Sequence, residues 1–293
     1  MNWLLYSLPL PLFSLSFSLL TKWGKGNTDG LLYTLWVLIS STILGMGYFL
    51  YKGNKIKITI ETLIGGISYG IALAGLIIGI GKAANPALPQ SAYRFQTALT
   101  FIGSYLLFKS KMTGTAILGI ILTLLGVYLL SDKEDSKNKQ QETKILGLPE
   151  WFVYAAGGGV ALTVKDLVSV SYFKKGLKPI NFTSQQSLWG GIVIFLLALL
   201  TNRFDSLKNL NHEELIKSVS SSSLLGVINI LWTTILVIAM GLAPNAGYPK
   251  AITDLGIVLT ALASSYLFKG SDLTMKEWGG VASMVAGVML VTI

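Results

Sequence analysis

Gly81-Lys-Ala-Ala-Asn-Pro-Ala-Leu-Pro-Gln90 and Gly241-Leu-Ala-Pro-Asn-Ala-Gly-Tyr-Pro-Lys250 stand 160 residues apart in a chain of 293. They agree at Gly81/Gly241, Ala83/Ala243, Asn85/Asn245 and Pro89/Pro249. The agreement continues at Leu99-Thr100 with Leu259-Thr260, Ser104 with Ser264, and Leu107-Phe-Lys109 with Leu267-Phe-Lys269. After a one-residue gap, Gly119 and Gly126-Val127 meet Gly280 and Gly287-Val288. Apolar matches arise readily between apolar segments, but Asn, Pro, Lys and spaced Gly in the same order do not. At a shift of 148, Trp3-x-x-Tyr6 also meets Trp151-x-x-Tyr154. The chain therefore reads as two related halves.

The solvent for those halves follows from composition. Hydrophobic residues make up 52% of the chain and charged residues only 13%, with a mean hydropathy of +0.62. Soluble domains carry about 25% charged residues, so this chain needs an apolar surrounding, the lipid bilayer. Runs long enough to span one are expected at 2–21, 30–51, 59–81, 87–108, 113–131, 150–173, 183–201, 218–241, 246–268 and 276–293. The expected fold class is an all-α membrane protein of ten transmembrane helices. The expected organisation is a first five-helix repeat over 1–131, a charged linker over 132–149 and a second repeat over 150–293. Five is odd, so the second half enters from the opposite face and the repeats are inverted. Inverted repeats place a substrate site between them near the membrane midplane.

Smaller features fit this frame. The first run lacks a basic leading segment and an A-x-A-like site, so it reads as a retained span rather than a signal peptide. Pro9 and Pro11 are expected to bend it. Trp3, Trp23, Trp151 and Trp278 fall near span ends, where an indole suits the interface. Pro86, Pro89, Pro244 and Pro249 read as helix punctuation. Glycines at 70, 75, 79, 81, 119 and 126 permit close helix approach.

Several chemistries are disfavoured. Cysteine is absent, which removes thiolate nucleophiles and Cys-ligated metals. His212 is the single histidine and is expected in a charged loop, so no His-built metal or acid–base centre is expected. Gly157-Gly-Gly159 lacks the following Lys-Ser/Thr of a phosphate loop. The net charge of +9 is spread singly over short loops, so no nucleic-acid partner is expected. No cofactor is expected either.

Five charges fall inside the expected spans: Arg94, Lys165, Asp166, Lys250 and Asp254. An ionisable residue at a helix centre costs about 2.5–3.5 kcal/mol on insertion scales, so each needs a partner or a polar cavity. Arg94 and Asp254 are equivalent under the repeat, as are Gln90 and Lys250. The i, i+4 spacing puts Gln90 and Arg94 on one face and Lys250 and Asp254 on another. Inversion is expected to separate Arg94 from Asp254 along the membrane normal, leaving Lys250 and Asp254 to pair along their own helix. Lys165 and Asp166 are neighbours about 100° apart on a helix, so at most one is expected to face a central cavity squarely. The candidate binding set is Arg94 for an anionic group, Asp166 or Asp254 for a cationic group or coupling proton, Lys165, Lys250 and Gln90 beside them, and Tyr69, Asn229 and Trp232 to complete the pocket.

On these residues the chain resembles the drug/metabolite transporter superfamily, in its ten-span EamA-like branch. Asn245-Ala-Gly-Tyr-Pro-Lys-Ala-Ile252, an apolar helix, a short loop, then Gly280 and Gly287-Val288 are similar to that family's repeat signature. The family usually carries Glu in the short loop after spans four and nine. Here that place holds Lys109-Ser-Lys111 and Lys269-Gly-Ser-Asp272. The resemblance implies alternating-access export of a small polar metabolite such as an amino acid, by a non-enzymatic carrier that is a monomer or homodimer. It also implies residence in the cell (inner) membrane with both termini cytoplasmic. The lysine and arginine tally leaves orientation to the resemblance. It runs eight on the implied cytoplasmic side against twelve, and eight against eight without the linker's four. The alternative reading, a membrane-embedded enzyme or lipid-modifying protein, lacks a His/Asp/Glu cluster near an interface.

Overall fold

The structure, a computed structural model, describes residues 2–131, 144–268 and 273–292. Most of the charged linker and the 269–272 stretch, including Lys269 and Asp272, lie outside the described residues. In chain order the helices are α1 (Asn2–Ser7), α2 (Leu10–Lys25), α3 (Gly30–Tyr51), α4 (Ile60–Lys82), α5 (Ala87–Tyr93), α6 (Phe95–Phe108) and α7 (Gly114–Ser131). A two-residue ribbon of β1 (Lys144–Ile145) and β2 (Leu148–Pro149) follows, pairing Lys144 with Pro149 and Ile145 with Leu148. Then come α8 (Glu150–Lys174), α9 (Pro179–Leu200), a short 3-10 turn (Arg203–Asn209), α10 (His212–Leu242), α11 (Gly247–Leu267) and α12 (Met275–Thr292). Among the described residues, seven helices are long and apolar enough to cross a membrane: 3–25, 30–51, 60–82, 150–174, 179–200, 212–242 and 247–267.

Local chemistry sets the helix ends. Asp29 accepts from the Leu31 N–H at 2.8 Å and opens α3. Thr59 with Thr62, and Asn211 with Glu214, form reciprocal capping boxes at α4 and α10. Each satisfies N–H groups that a helix start leaves unpaired. The quoted decapeptides form two matching turns. Ala83 and Ala243 are extended (φ −84°, ψ 147° and φ −74°, ψ 152°) and donate back to Gly79 and Ala239. Asn85 Oδ1 accepts from Ala87 N at 2.8 Å, and Asn245 Oδ1 accepts from Gly247 N at 2.8 Å. Both asparagines are buried, so α5 and α11 begin below the protein surface.

The expectations need four adjustments. The first span breaks at Pro9 into α1 and α2, and 87–108 breaks at Arg94 into α5 and α6. Helix α10 starts at His212 rather than at 218, because the Asn211 cap lies upstream of the apolar run. His212 therefore heads a helix instead of lying in a loop. Trp151 is not an interfacial anchor: it is 1% exposed and packs edge-on against Phe152.

Polarity runs from an apolar outside to a polar inside. Ile43, Leu106, Leu125, Leu196 and Leu231 are exposed, while Gln90, Arg94, Lys165, Asp166, Asn229, Lys250 and Asp254 are buried. That is the reverse of a water-soluble globule, in which charged side chains are the last to be buried. It suits a bilayer. This is the architecture of an all-α, multi-pass membrane protein.

The helices interlock across the sequence. Helix α4 packs on α8 and α9, α10 packs on α2 and α3, α11 packs on α2, and α6 packs on α8. Helix α7 crosses α12 reciprocally. A Cβ on Gly126 would sit 2.6 Å from the Gly280 carbonyl oxygen, and one on Gly287 would sit 2.5 Å from that of Gly119. One end of the bundle gathers the end of α4 and the start of α8. Lys22 donates to the Ala83 carbonyl there, and Lys82 pairs with Glu150 at 2.9 Å. The other end gathers the start of α4 and the ends of α6 and α8. There Lys175 pairs with Glu61, and Lys174 lies 4.5 Å from the Phe108 ring.

The α7–α12 crossing has a testable consequence. Gly126→Ala forces two backbones apart and is expected to destabilise by about 1–3 kcal/mol, the usual cost of overpacking. Gly157→Ala meets nothing within 4 Å and is expected to be neutral or better. Thermal unfolding of the detergent-solubilised variants separates the two. Equal melting temperatures would refute the crossing.

Candidate functional site

The five intramembrane charges converge. Arg94, at the α5–α6 break, is 1% exposed, and its Nε lies 3.2 Å from Asp254 Oδ1 on α11. Thr97 Oγ1 donates to the other oxygen, Oδ2, at 2.8 Å. Lys250 Nζ, also on α11, pairs with Asp166 Oδ2 on α8 at 2.6 Å, and Lys165 Nζ reaches Asp166 Oδ1 at 3.3 Å. Gln96 joins the second carboxylate to its lysine. With the amide oriented so that its nitrogen faces the carboxylate, the assignment its neighbours require, it donates to Asp166 Oδ2 at 3.0 Å and its oxygen accepts from Lys250 Nζ at 3.2 Å.

Two expectations fail here. Arg94 and Asp254 are bonded directly rather than separated along the normal, and Lys250 pairs with Asp166 rather than with Asp254. The physical reason is the depth of the turns. Because Asn85 and Asn245 are buried, α5 and α11 start inside the bundle. About two turns of helix, roughly 10 Å, and a long guanidinium arm then bring Arg94 to Asp254. Lys165 and Asp166 are both fully buried and touch each other. The angle between neighbours does not push either one out, because α8 is packed by α4, α5, α6 and α10 on the side that carries both residues, while Val160 and Val164 take the outward side.

The remaining candidates extend the cluster. Gln90 Nε2 donates to the Ser14 carbonyl and hydroxyl at 3.1 and 3.2 Å, and Arg94 Nη2 donates to the same hydroxyl at 2.8 Å. The Arg94 guanidinium lies 5.6 Å from the Trp232 ring, which packs on Phe17 at 5.7 Å. Lys165 Nζ lies 5.6 Å from the Tyr69 ring. The Tyr69 hydroxyl donates to Asn229 Oδ1, and Asn229 Nδ2 donates to Ser41 Oγ at 3.0 Å. All nine residues named from the sequence thus fall in two adjoining polar groups at the centre of the bundle.

Ser14, Gln96 and Thr97 belong to the site but are missed by a search for charges. Their signal is subtler: Ser14, Ser18 and Thr21 recur at helical spacing on α2, and Thr97, Thr100 and Ser104 recur likewise on α6. All six are buried. In helices a Ser or Thr hydroxyl commonly bonds back to the carbonyl one turn earlier, as Thr123, Thr163, Thr253 and Thr260 do here. The hydroxyls of Ser18, Thr21, Thr100 and Ser104 have no hydrogen-bond partner. From Arg94 the first pair leads toward the Lys22 end of the bundle and the second toward the Phe108 end.

Three cations face two carboxylates in the cluster, a formal excess of one positive charge. Among the described residues, Arg94 Nη1 and Trp232 Nε1 have no hydrogen-bond partner, and Arg94 Nε and Asp254 Oδ1 meet as an ion pair without a hydrogen bond. The arrangement offers buried charges of both signs and buried hydrogen-bond donors. Among the described residues, no group of three or more His, Cys, Asp and Glu side chains is placed to hold a metal ion.

Removing one member of a buried ion pair leaves the other charge stranded, at about 3–5 kcal/mol. Arg94→Gln and Asp254→Asn are each expected to lower the melting temperature and yield of the purified protein. The double variant, in which no charge is stranded, is expected to recover most of that loss. If the double variant were as unstable as the sum of the singles, the direct pairing would be wrong.

No family model and no curated protein matches the chain. A protein of known crystal structure superposes on it with a TM-score of 0.71 at 16% sequence identity, covering 100% of this chain and 98% of the other. The similarity is one of fold.

Proposed function

We propose that the chain is an alternating-access secondary transporter of a small polar metabolite, working as an exporter, with ten spans in two inverted five-helix repeats. The ten spans are α1–α2, α3, α4, α5–α6, α7, α8, α9, α10, α11 and α12. The observation that carries the reading is the buried charge cluster, which joins Arg94, before the charged linker, to Lys165, Asp166, Lys250 and Asp254, after it. Such groups are costly in a membrane and mark ion or substrate pathways.

Three further features support it. The Asn85 and Asn245 turns have the same geometry, as repeats require. The Gly126/Gly280 and Gly287/Gly119 contacts exchange under the same pairing of residues. The two hydroxyl rows leave the cluster toward opposite ends of the bundle, where a permeating solute has to enter and leave. The resemblance to the EamA-like drug/metabolite transporters agrees with this reading and adds the direction, export across the cell membrane with cytoplasmic termini. Protons are the candidate coupling ion, since buried carboxylates are available to carry them.

A membrane enzyme is the second class of function. It needs reactive groups at a water-accessible interface. The ionisable cluster here lies at the centre and is packed by helices.

The test is counterflow into liposomes by the purified protein, preloaded in turn with amino acids, amines and sugar phosphates. Saturable exchange of at least one compound is expected, and it should be lost in the stable Arg94→Gln/Asp254→Asn double variant. Absence of exchange across the panel would count against the transporter. Full exchange by the double variant would make the charges structural ties. Proton coupling predicts that collapsing the pH gradient slows net transport.

A further inference from the structure

Hydrogen-bond bookkeeping at the cluster says what kind of solute it is built to take. The two carboxylates are already engaged: Asp254 by Arg94 and Thr97, Asp166 by Lys165, Lys250 and Gln96. No carboxylate is left over for an incoming ammonium group. The surplus lies on the donor side. Arg94 Nη1 and Trp232 Nε1 are both buried without an acceptor, and they belong to groups in cation–π contact at 5.6 Å. Formal charge points the same way, with three cations against two carboxylates. A buried donor left unpaired costs about 1–3 kcal/mol, and more when charged, so the resting protein bears a penalty that a suitable ligand relieves. Arg94 Nε and Asp254 Oδ1 also lack a hydrogen bond among the described residues, but they face each other as an ion pair at 3.2 Å. The other acceptor left over here, Gln90 Oε1, is neutral and suits a ligand hydroxyl or N–H.

Resting on the transporter reading, we propose that the transported solute is a singly charged organic anion whose oxyanion group is held by Arg94 Nη1 and Trp232 Nε1. Guanidinium N–H groups bind planar and tetrahedral oxyanions alike, so the shared chemistry is a carboxylate or a phosphate diester, each singly charged at neutral pH. One negative charge brings the cluster to neutrality. An amino-acid zwitterion brings an ammonium group that finds no free carboxylate, so the amino-acid substrates implied by the resemblance are disfavoured.

The experiment is ligand-induced thermal stabilisation of the purified wild-type protein, with affinities from tryptophan fluorescence. The probes are lactate, benzoate and dimethyl phosphate, each beside its uncharged counterpart lactamide, benzamide or trimethyl phosphate, together with alanine and a simple amine. At least one anion is expected to bind about tenfold more tightly than its counterpart, the worth of a charge-assisted hydrogen bond. The preferred anion identifies carboxylate or phosphate. Trp232→Phe keeps the ring and its packing on Phe17 but removes the N–H. It is expected to fold and to weaken anion binding several-fold while leaving the counterparts unchanged. The Arg94→Gln/Asp254→Asn double variant is expected to lose anion selectivity.

Equal binding of anions and counterparts, tighter binding of the amine, no binding by any probe at millimolar concentration, or an unaltered Trp232→Phe variant overturns the proposal. The two readings fail separately. Selective anion binding without counterflow would remove the transporter and keep the site. Counterflow of neutral or cationic solutes without anion binding would remove the site's assignment and keep the transporter.

Discussion

A charge in hydrocarbon has to find an opposite charge or a hydrogen-bonding partner, and that requirement governs this molecule. Arg94, Lys165, Asp166, Lys250 and Asp254 are all buried. The pairs they form tie α5–α6 to α11, and α11 to α8. None of these helices can shift alone without stranding a charge. The pairs also account for Gln96, Thr97 and Ser14, which hydrogen-bond to Asp166 and Lys250, to Asp254 and to Arg94 respectively. Pairing of this kind does more for specificity than for stability, because the desolvation of each ion offsets much of the Coulomb gain.

Close backbone approach is the second constraint. Lipid offers no hydrophobic force between apolar helices, so they associate by packing. Glycine at the α7–α12 crossing brings carbonyl groups to within a Cβ's reach of the opposing helix. The same economy is seen at Gly70 and Gly190, where α4 meets α9. Among the described residues, the charge cluster is one of the places where buried polar groups lack partners. Unpaired donors at Arg94 and Trp232, with unpaired hydroxyls above and below, are the partners available to the proposed solute.

Much of the architecture was legible in the sequence. Low charge and long apolar runs required a membrane, and the decapeptides at 81–90 and 241–250 marked two turns that have the same backbone path. The five intramembrane charges were each named in advance, since a charge in an apolar run is conspicuous. Ser14, Gln96 and Thr97 were not, because a polar uncharged residue in a membrane helix is common. The break at Arg94 was also hidden. No proline or glycine marks it, and Arg94 N–H is shared between the Gln90 and Ser91 carbonyls at 3.0 and 3.1 Å.

The sequence by itself determined the solvent, the helices and the identity of the buried charges, because hydropathy and helical periodicity are local properties of the chain. The tertiary structure decided who pairs with whom. Asp254 turned from its helical neighbour Lys250 to Arg94, and Lys250 turned to Asp166, 84 positions away in the chain by their numbers. Depth is the physical reason. How far a residue lies from the surface depends on whether its helix begins at the surface or beneath it. The recessed turns at Asn85 and Asn245 are set by packing that no stretch of sequence records.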